Sequence, residues 1–210
     1  MGIAVMVMGS SGSGKSCGAR NFKSDEVRIL NVASKPLPFK NVNKLKVANK
    51  ASYDMIEGVI KSNQALSYII DDAQYLMAFE SFNKISETGY TKFSVMANNY
   101  REMIRCAIED TSPDTIVYFL QHTEETDSGK VKPKTLGKML DSQLTVEGLF
   151  SIVLMANTDG NNYWFETQSD GATTCKSPMG MFDNKQIDND LKFVDTTIRE
   201  YYGLKENNKN

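Results

Sequence analysis

Gly9-Ser10-Ser11-Gly12-Ser13-Gly14-Lys15-Ser16-Cys17 is the stretch best able to do chemistry. Gly9 is followed by four residues and then by Gly14-Lys15-Ser16, the spacing of a loop that cradles phosphates. Glycines let the backbone curl so that successive N–H groups point inward. A helix starting near Gly14 adds a partial charge of about +0.5 at its first turn. The residues from Gly9 to Cys17 are therefore expected to wrap the phosphates of a nucleotide. Lys15 is expected to reach the terminal phosphates, and the Ser16 hydroxyl to ligate magnesium. ATP with Mg2+ is the ligand this reading implies. The plainer alternative is a flexible Gly/Ser loop.

Such a loop needs an acid to hold magnesium, carried at the tip of another buried strand. "YIIDD" supplies Asp71 for the magnesium shell. Asp72 either polarises an attacking water or caps a helix beginning near Gln74. "YFLQH" ends a further apolar run with Gln121 and His122. Ligands of parallel sheets sit at the carboxyl ends of strands, so Gln121 is a candidate to sense the γ-phosphate or orient water. His122 is read as structural. Lys130, Lys132, Lys134 and Lys138 form an acid-free run, "KVKPKTLGK". With stacking aromatics such as Phe39, Tyr90 or Phe93, such a patch would suit single-stranded nucleic acid; otherwise it is a solvated loop.

The elements that must position these residues are legible in part. Ile3–Met8 is continuously apolar, as in a parallel strand buried on both faces. Val27–Val32, Leu66–Asp72 and Thr115–Gln121 read likewise. Residues 35–50 hold two prolines and five lysines and read as a loop. Tyr53–Ser62 reads as a helix, and Gln74–Arg105 as two helices broken near Gly89. Residues 122–134 read as a polar connection, and Leu136–Leu144 as a short helix. Leu149–Ala156 and Asn162–Gln168 flank the turn "NTDGN" and read as a hairpin. Asp188–Tyr202 reads as an amphipathic helix and the residues after Gly203 as a flexible tail. The expected fold is α/β: one domain over 1–203, with a mostly parallel sheet, flanking helices and an antiparallel C-terminal hairpin.

Composition bounds the partners. The chain has 210 residues, 40% of them apolar, and a formal net charge of −2. That suffices for a core and provides no global attraction to nucleic acid. No apolar run is long enough to span a bilayer, and no signal-peptide pattern is seen. Three widely spaced cysteines and one histidine argue against a disulfide framework or a zinc site, and for a reducing, intracellular setting.

The motifs "GSSGSGKS", "YIIDDAQYLM", "TIVYFLQH", "KPKTLGKMLD", "EGLFSIVL", "TQSDGATTCKSPMGMF" and "IDNDL" occur in this order. The chain thereby resembles phage-encoded ATPases with a RecA-like P-loop core, grouped with single-strand annealing and recombination proteins. The resemblance covers nearly the whole chain. It implies ATP hydrolysis, binding of single-stranded DNA, a single-strand DNA-binding protein as partner, and a place in the host cytoplasm. It also implies a homo-oligomer with ATP at subunit interfaces, where a neighbour's lysine reaches the γ-phosphate; the matching residue is Lys176. One departure is plain. RecA-type enzymes carry a catalytic glutamate after the second strand, and "RILNVASKPLPF" offers no acid. Two alternatives follow: a slow ATP-dependent switch that loads a replication partner, and a small nucleotide kinase. The kinase reading lacks an arginine-rich lid.

Overall fold

Continuous apolar runs build the centre of the molecule, as a parallel sheet covered on both faces requires. The computed structural model describes residues 1–89, 91–136 and 145–206. β1 (Ile3–Gly9), β2 (Val27–Asn31), β4 (Ser67–Asp71), β5 (Ile116–Glu125) and β7 (Ile152–Thr158) carry most of the buried strand residues. Among the described residues, β3 (Lys46–Asn49), β6 (Val131–Pro133), β8 (Tyr163–Glu166) and β9 (Gln186–Asp188) complete a nine-stranded sheet. Its order is β3-β2-β4-β5-β1-β7-β8-β9, with β6 paired to β5. From β3 across to β7 every neighbouring pair is parallel. The pairs β7–β8, β8–β9 and β5–β6 are antiparallel.

Alternation along the strands divides the core into two layers. Met6, Met8, Ile70, Phe119 and Val153 face one side. There they meet Ile56 and Ile60 of α1 (Tyr53–Lys61), Leu76 and Met77 of α2 (Gln74–Asn83), and Met103 and Ile104 of α3 (Thr91–Glu109). Val5, Val7, Ile69, Leu120 and Leu154 face the other. They meet Ala19 of a 3-10 helix (Ser16–Asn21) and Leu191, Val194 and Ile198 of α4 (Leu191–Tyr202). Each fully buried aliphatic side chain contributes about 1.5–3 kcal/mol of transfer free energy.

The α/β layout, the mostly parallel sheet and the late hairpin agree with the sequence reading. Several local details differ. Residues 35–50 are not all loop, since Lys46–Asn49 pair in parallel with β2 as an edge strand. Only Val47 and Ala48 are half-buried, and the lysines on either side stay in solvent, as an edge tolerates. The polar residues 122–134 extend β5 to Glu125 and return as β6. Their side chains are polar because this extension projects beyond the covered sheet. Gln186–Asp188 is a strand, so the last helix starts at Leu191. Its N-cap is Asp190, whose carboxylate accepts from Lys192 N and Phe193 N at 2.9 and 3.3 Å. The expected helix at 136–144 falls, but for Leu136, outside the described residues.

The amino ends of the strands are tied by one side chain. Arg199, 3% exposed, donates to Asp195 Oδ1 (2.6 Å), Ser67 Oγ (2.9 Å) and the carbonyls of Leu66, Asp114 and Lys205 (3.0, 2.8 and 2.9 Å). Lys205 N in turn donates to Asp114 Oδ1 at 3.0 Å, so the segment just past Gly203 is fastened to the body. Among the described residues, no helix is long and apolar enough to cross a membrane.

Candidate functional site

β1 lies at the centre of the sheet, and β5 separates it from β4. The Gly-rich loop and Asp71 thus start two strand spacings apart, about 10 Å. The turn after β1 closes that gap: Ser16 Oγ donates to Asp71 Oδ1 at 2.7 Å. Two residues 55 apart in sequence therefore meet at the carboxyl edge, where parallel sheets hold ligands.

The loop between them needs its glycines. A Cβ on Gly9 would lie 2.5 Å from Ser13 Oγ and 2.7 Å from the Ala156 carbonyl. Gly14 has φ +88, and a Cβ there would lie 2.8 Å from the Tyr163 ring. Lys15 is folded into the loop it follows, donating from Nζ to the carbonyls of Gly9 and Ser10, each at 2.8 Å. Burial draws its ammonium group down to about 8, against the upward pull of Asp72 and Asp71. Ser13 Oγ and Asn189 Nδ2, both beside this loop, are buried without a hydrogen-bond partner among the described residues.

The loop opens on a cavity of about 460 Å³, lined by Ser11, Gly12, Gly14, Lys15, Ser16, Cys17, Lys35, Pro36, Pro38, Asp71, Asp72, His122 and Tyr163. Asp71 is 4% exposed. Burial pushes its carboxyl group above the ordinary value, and the Ser16 hydrogen bond offsets only part of that. Asp72 adopts a left-handed backbone, φ +61, at the strand's end. It pairs with Lys35 Nζ at 2.5 Å and faces His122 Nε2 at 3.3 Å. Burial alone would raise Asp72, but His122 and Lys35 outweigh it and hold its carboxyl group below the ordinary value.

The two acids are therefore poised differently. Asp71 and the Ser16 hydroxyl could hold a magnesium ion only if phosphates or water completed its shell of oxygens. Among the described residues, no group of three or more His, Cys, Asp or Glu gathers as a self-sufficient metal site. Asp72 does not serve as a helix N-cap: α2 is preceded by Ala73, and its start has no side-chain cap.

Other sequence candidates are placed elsewhere. Gln121 is fully buried, and its amide is held at both ends: Oε1 accepts from Tyr100 Oη and Nε2 donates to the Lys134 carbonyl, each at 2.6 Å. Its neighbour His122, aligned with Gly9 in the sheet, is the β5 residue that reaches the cavity. Lys176 pairs through its backbone with Val153, halfway along the sheet, and does not line the cavity.

Lys130, Lys132 and Lys134 lie on or beside β6, and Lys138 lies outside the described residues. Antiparallel pairing sets Glu124 opposite Lys132, with Nζ 3.2 Å from Oε1, so this run is partly neutralised by acids invisible in the run itself. Phe39 packs against the core rather than standing free, and Tyr90 is outside the described residues. Cys17 donates from Sγ to the Pro38 carbonyl at 3.3 Å, and burial raises its thiol pKa, which suits a packing role.

Sequence reasoning missed Lys35 and Tyr163 as cavity residues. Lys35 had a usable signal: it follows a buried parallel strand, whose carboxyl end must open on the same edge as the loop. Tyr163 had none, because its approach to Gly14 depends on the β7–β8 hairpin folding back. Neither the protein-family models nor the curated proteins compared with the chain give a match, so functional assignment rests on this geometry.

Proposed function

We propose that the chain is a P-loop ATPase with a RecA-like core. The observation that carries this reading is the Ser16–Asp71 hydrogen bond beside a glycine loop that encloses Lys15. The loop's backbone and Lys15 would hold the phosphates, and Ser16 and Asp71 would hold magnesium. Bound there, the ion would neutralise charge on the β- and γ-phosphates. Lys15 would exchange two carbonyl acceptors for phosphate oxygens, a stronger, charge-assisted contact. Asp72 and His122 border the same cavity and are the groups that would orient a water.

Single-stranded DNA, a single-strand DNA-binding partner and assembly into a homo-oligomer follow from the resemblance to phage recombination ATPases. The lysines of the β5–β6 hairpin give that part local support only. The slow-switch reading draws on one specific observation: both expected water-orienting groups already have partners, Asp72 in Lys35 and His122, and Gln121 in Tyr100 and Lys134, so Asp72 must be released before it can act.

The test is equilibrium binding of a fluorescent ATP analogue with and without magnesium, followed by turnover with and without single-stranded DNA. Lys15→Ala should abolish binding. Asp71→Asn should remove its magnesium dependence while leaving the fold at least as stable, because an unfavourably buried charge is lost. Nucleotide binding that survives Lys15→Ala would sink the proposal. Turnover unchanged by DNA, with no salt-sensitive DNA binding, would confine the function to the switch reading.

A further inference from the structure

We infer that Lys35 is a second phosphate-binding cation, supplied by the same chain, that recognises the terminal phosphate of a nucleoside triphosphate. The inference rests on the nucleotide reading of the cavity and goes beyond it. It assigns to Lys35 the contact that the family resemblance would give to a neighbouring subunit's Lys176.

Three observations carry it. First, Lys35 lines the same cavity as Lys15, Ser16 and Asp71, and its ammonium group ends on Asp72 at 2.5 Å. Second, the backbone that delivers it is fixed. Asn31, buried at the end of β2, donates from Nδ2 to the Lys35 carbonyl at 2.8 Å, and Ser34 Oγ accepts from Lys50 N at 2.7 Å. Pro36 and Pro38 restrict the chain immediately beyond. Third, the side chain itself is free to exchange partners. It is 57% exposed, and its ammonium group rests over the Tyr75 ring at 5.7 Å from the centroid. The ammonium end of this pair is open to solvent while Asp72 is 5% exposed and keeps His122 at 3.3 Å, so Lys35 can turn to a multiply charged anion without leaving Asp72 without a neighbour.

The charge pattern agrees. Lys15 and Lys35 face Asp71 and Asp72, so the cavity is close to neutral by itself. Both ammonium groups are parked on internal acceptors, Lys15 on loop carbonyls and Lys35 on Asp72. An incoming triphosphate offers each a better acceptor, and release of Lys35 uncovers Asp72.

The experiment compares dissociation constants of fluorescent ATP and ADP analogues, with magnesium, for the unmodified chain and for Lys35→Ala, Lys35→Gln, Lys35→Arg and Lys176→Ala. Circular dichroism confirms folding. The unmodified chain should prefer ATP. Lys35→Ala and Lys35→Gln should cut the ATP-over-ADP preference about tenfold or more by weakening ATP alone, and Lys35→Arg should keep most of it. An unchanged preference in Lys35→Ala overturns the inference, including the case where ATP and ADP weaken equally because Lys35 only positions Asp72. So does a loss of preference in Lys176→Ala but not in Lys35→Ala, which leaves the ATP site itself standing. Absence of binding of either nucleotide by the unmodified chain overturns the site reading and this inference together.

Discussion

Lys15 is charged when it can serve a phosphate, and burial has brought its pKa to about 8 from an ordinary 10.5. Binding and stability should therefore respond to pH in opposite directions. A phosphate ligand wants the ammonium form, so ATP affinity should fall as pH rises, by about fivefold between pH 8 and pH 9 if only the charged form binds. For stability, the folded state binds fewer protons than the unfolded one between about 8 and 10.5, so Lys15's contribution should rise with pH across that window. Lys15→Arg should flatten the binding profile, and a titration of the ATP dissociation constant against pH checks it. At this scale the site was partly legible. The Gly9–Ser16 spacing and Asp71 could be read from residue types, because glycine, lysine and carboxylate chemistry fix what such positions can do. Lys35 and His122 follow or end buried strands and so belong to that edge, but which of the strand-end residues line the cavity depends on the strand order.

At the scale of elements, β5 and β6 form a unit that reports on Gln121. A glutamine at the end of a buried strand reads as a free polar group. The return of β6 instead supplies the Lys134 carbonyl, and α3 supplies Tyr100. Gln121→Ala would leave a buried tyrosine hydroxyl without its acceptor and untie the hairpin base. The expected cost is about 1–3 kcal/mol in chemical denaturation, with faster amide exchange at Val131 and Lys132. A turnover defect with unchanged stability and exchange would instead return Gln121 to the role of phosphate sensor. The hairpin itself was hidden because its two halves give little pattern: Glu124 and Glu125 put charge on both faces of the β5 extension, and the alternation in β6, where Val131 and Pro133 flank Lys132, lasts only three residues. β3 was hidden for a related reason. An edge strand needs little apolar surface, and its lysines resemble those of a loop.

Across the whole molecule, the two ends of the sheet have different duties. The carboxyl edge holds the glycine loop, the acids and the lysines. The amino edge holds the Arg199 cluster, where one guanidinium ties α4 to the entrances of β4 and β5. Arg199→Ala would leave the fully buried Asp195 without its cation. It should cost about 3–5 kcal/mol, measured as a shift of the denaturation midpoint. Nucleotide affinity of the fraction that stays folded should be unchanged, because the cluster and the cavity share no residue. The layered α/β class was open to sequence reading, since runs such as Ile3–Met8 leave little choice but burial on both faces. The strand order was not. Nothing in the residues of β1 says that β5 and β7 will close on either side of it.

That central placement has a consequence for how the protein comes into being. β1 is made before its neighbours, yet Ile3 pairs with Ile116 and Val5 with Ile152. During synthesis the strand and its glycine loop must wait, unpaired and apolar, until most of the chain has emerged. The ATP pocket proposed here would be among the last features to become whole, so a chain halted before β7 would display β1 to chaperones with an open side and no finished pocket behind it.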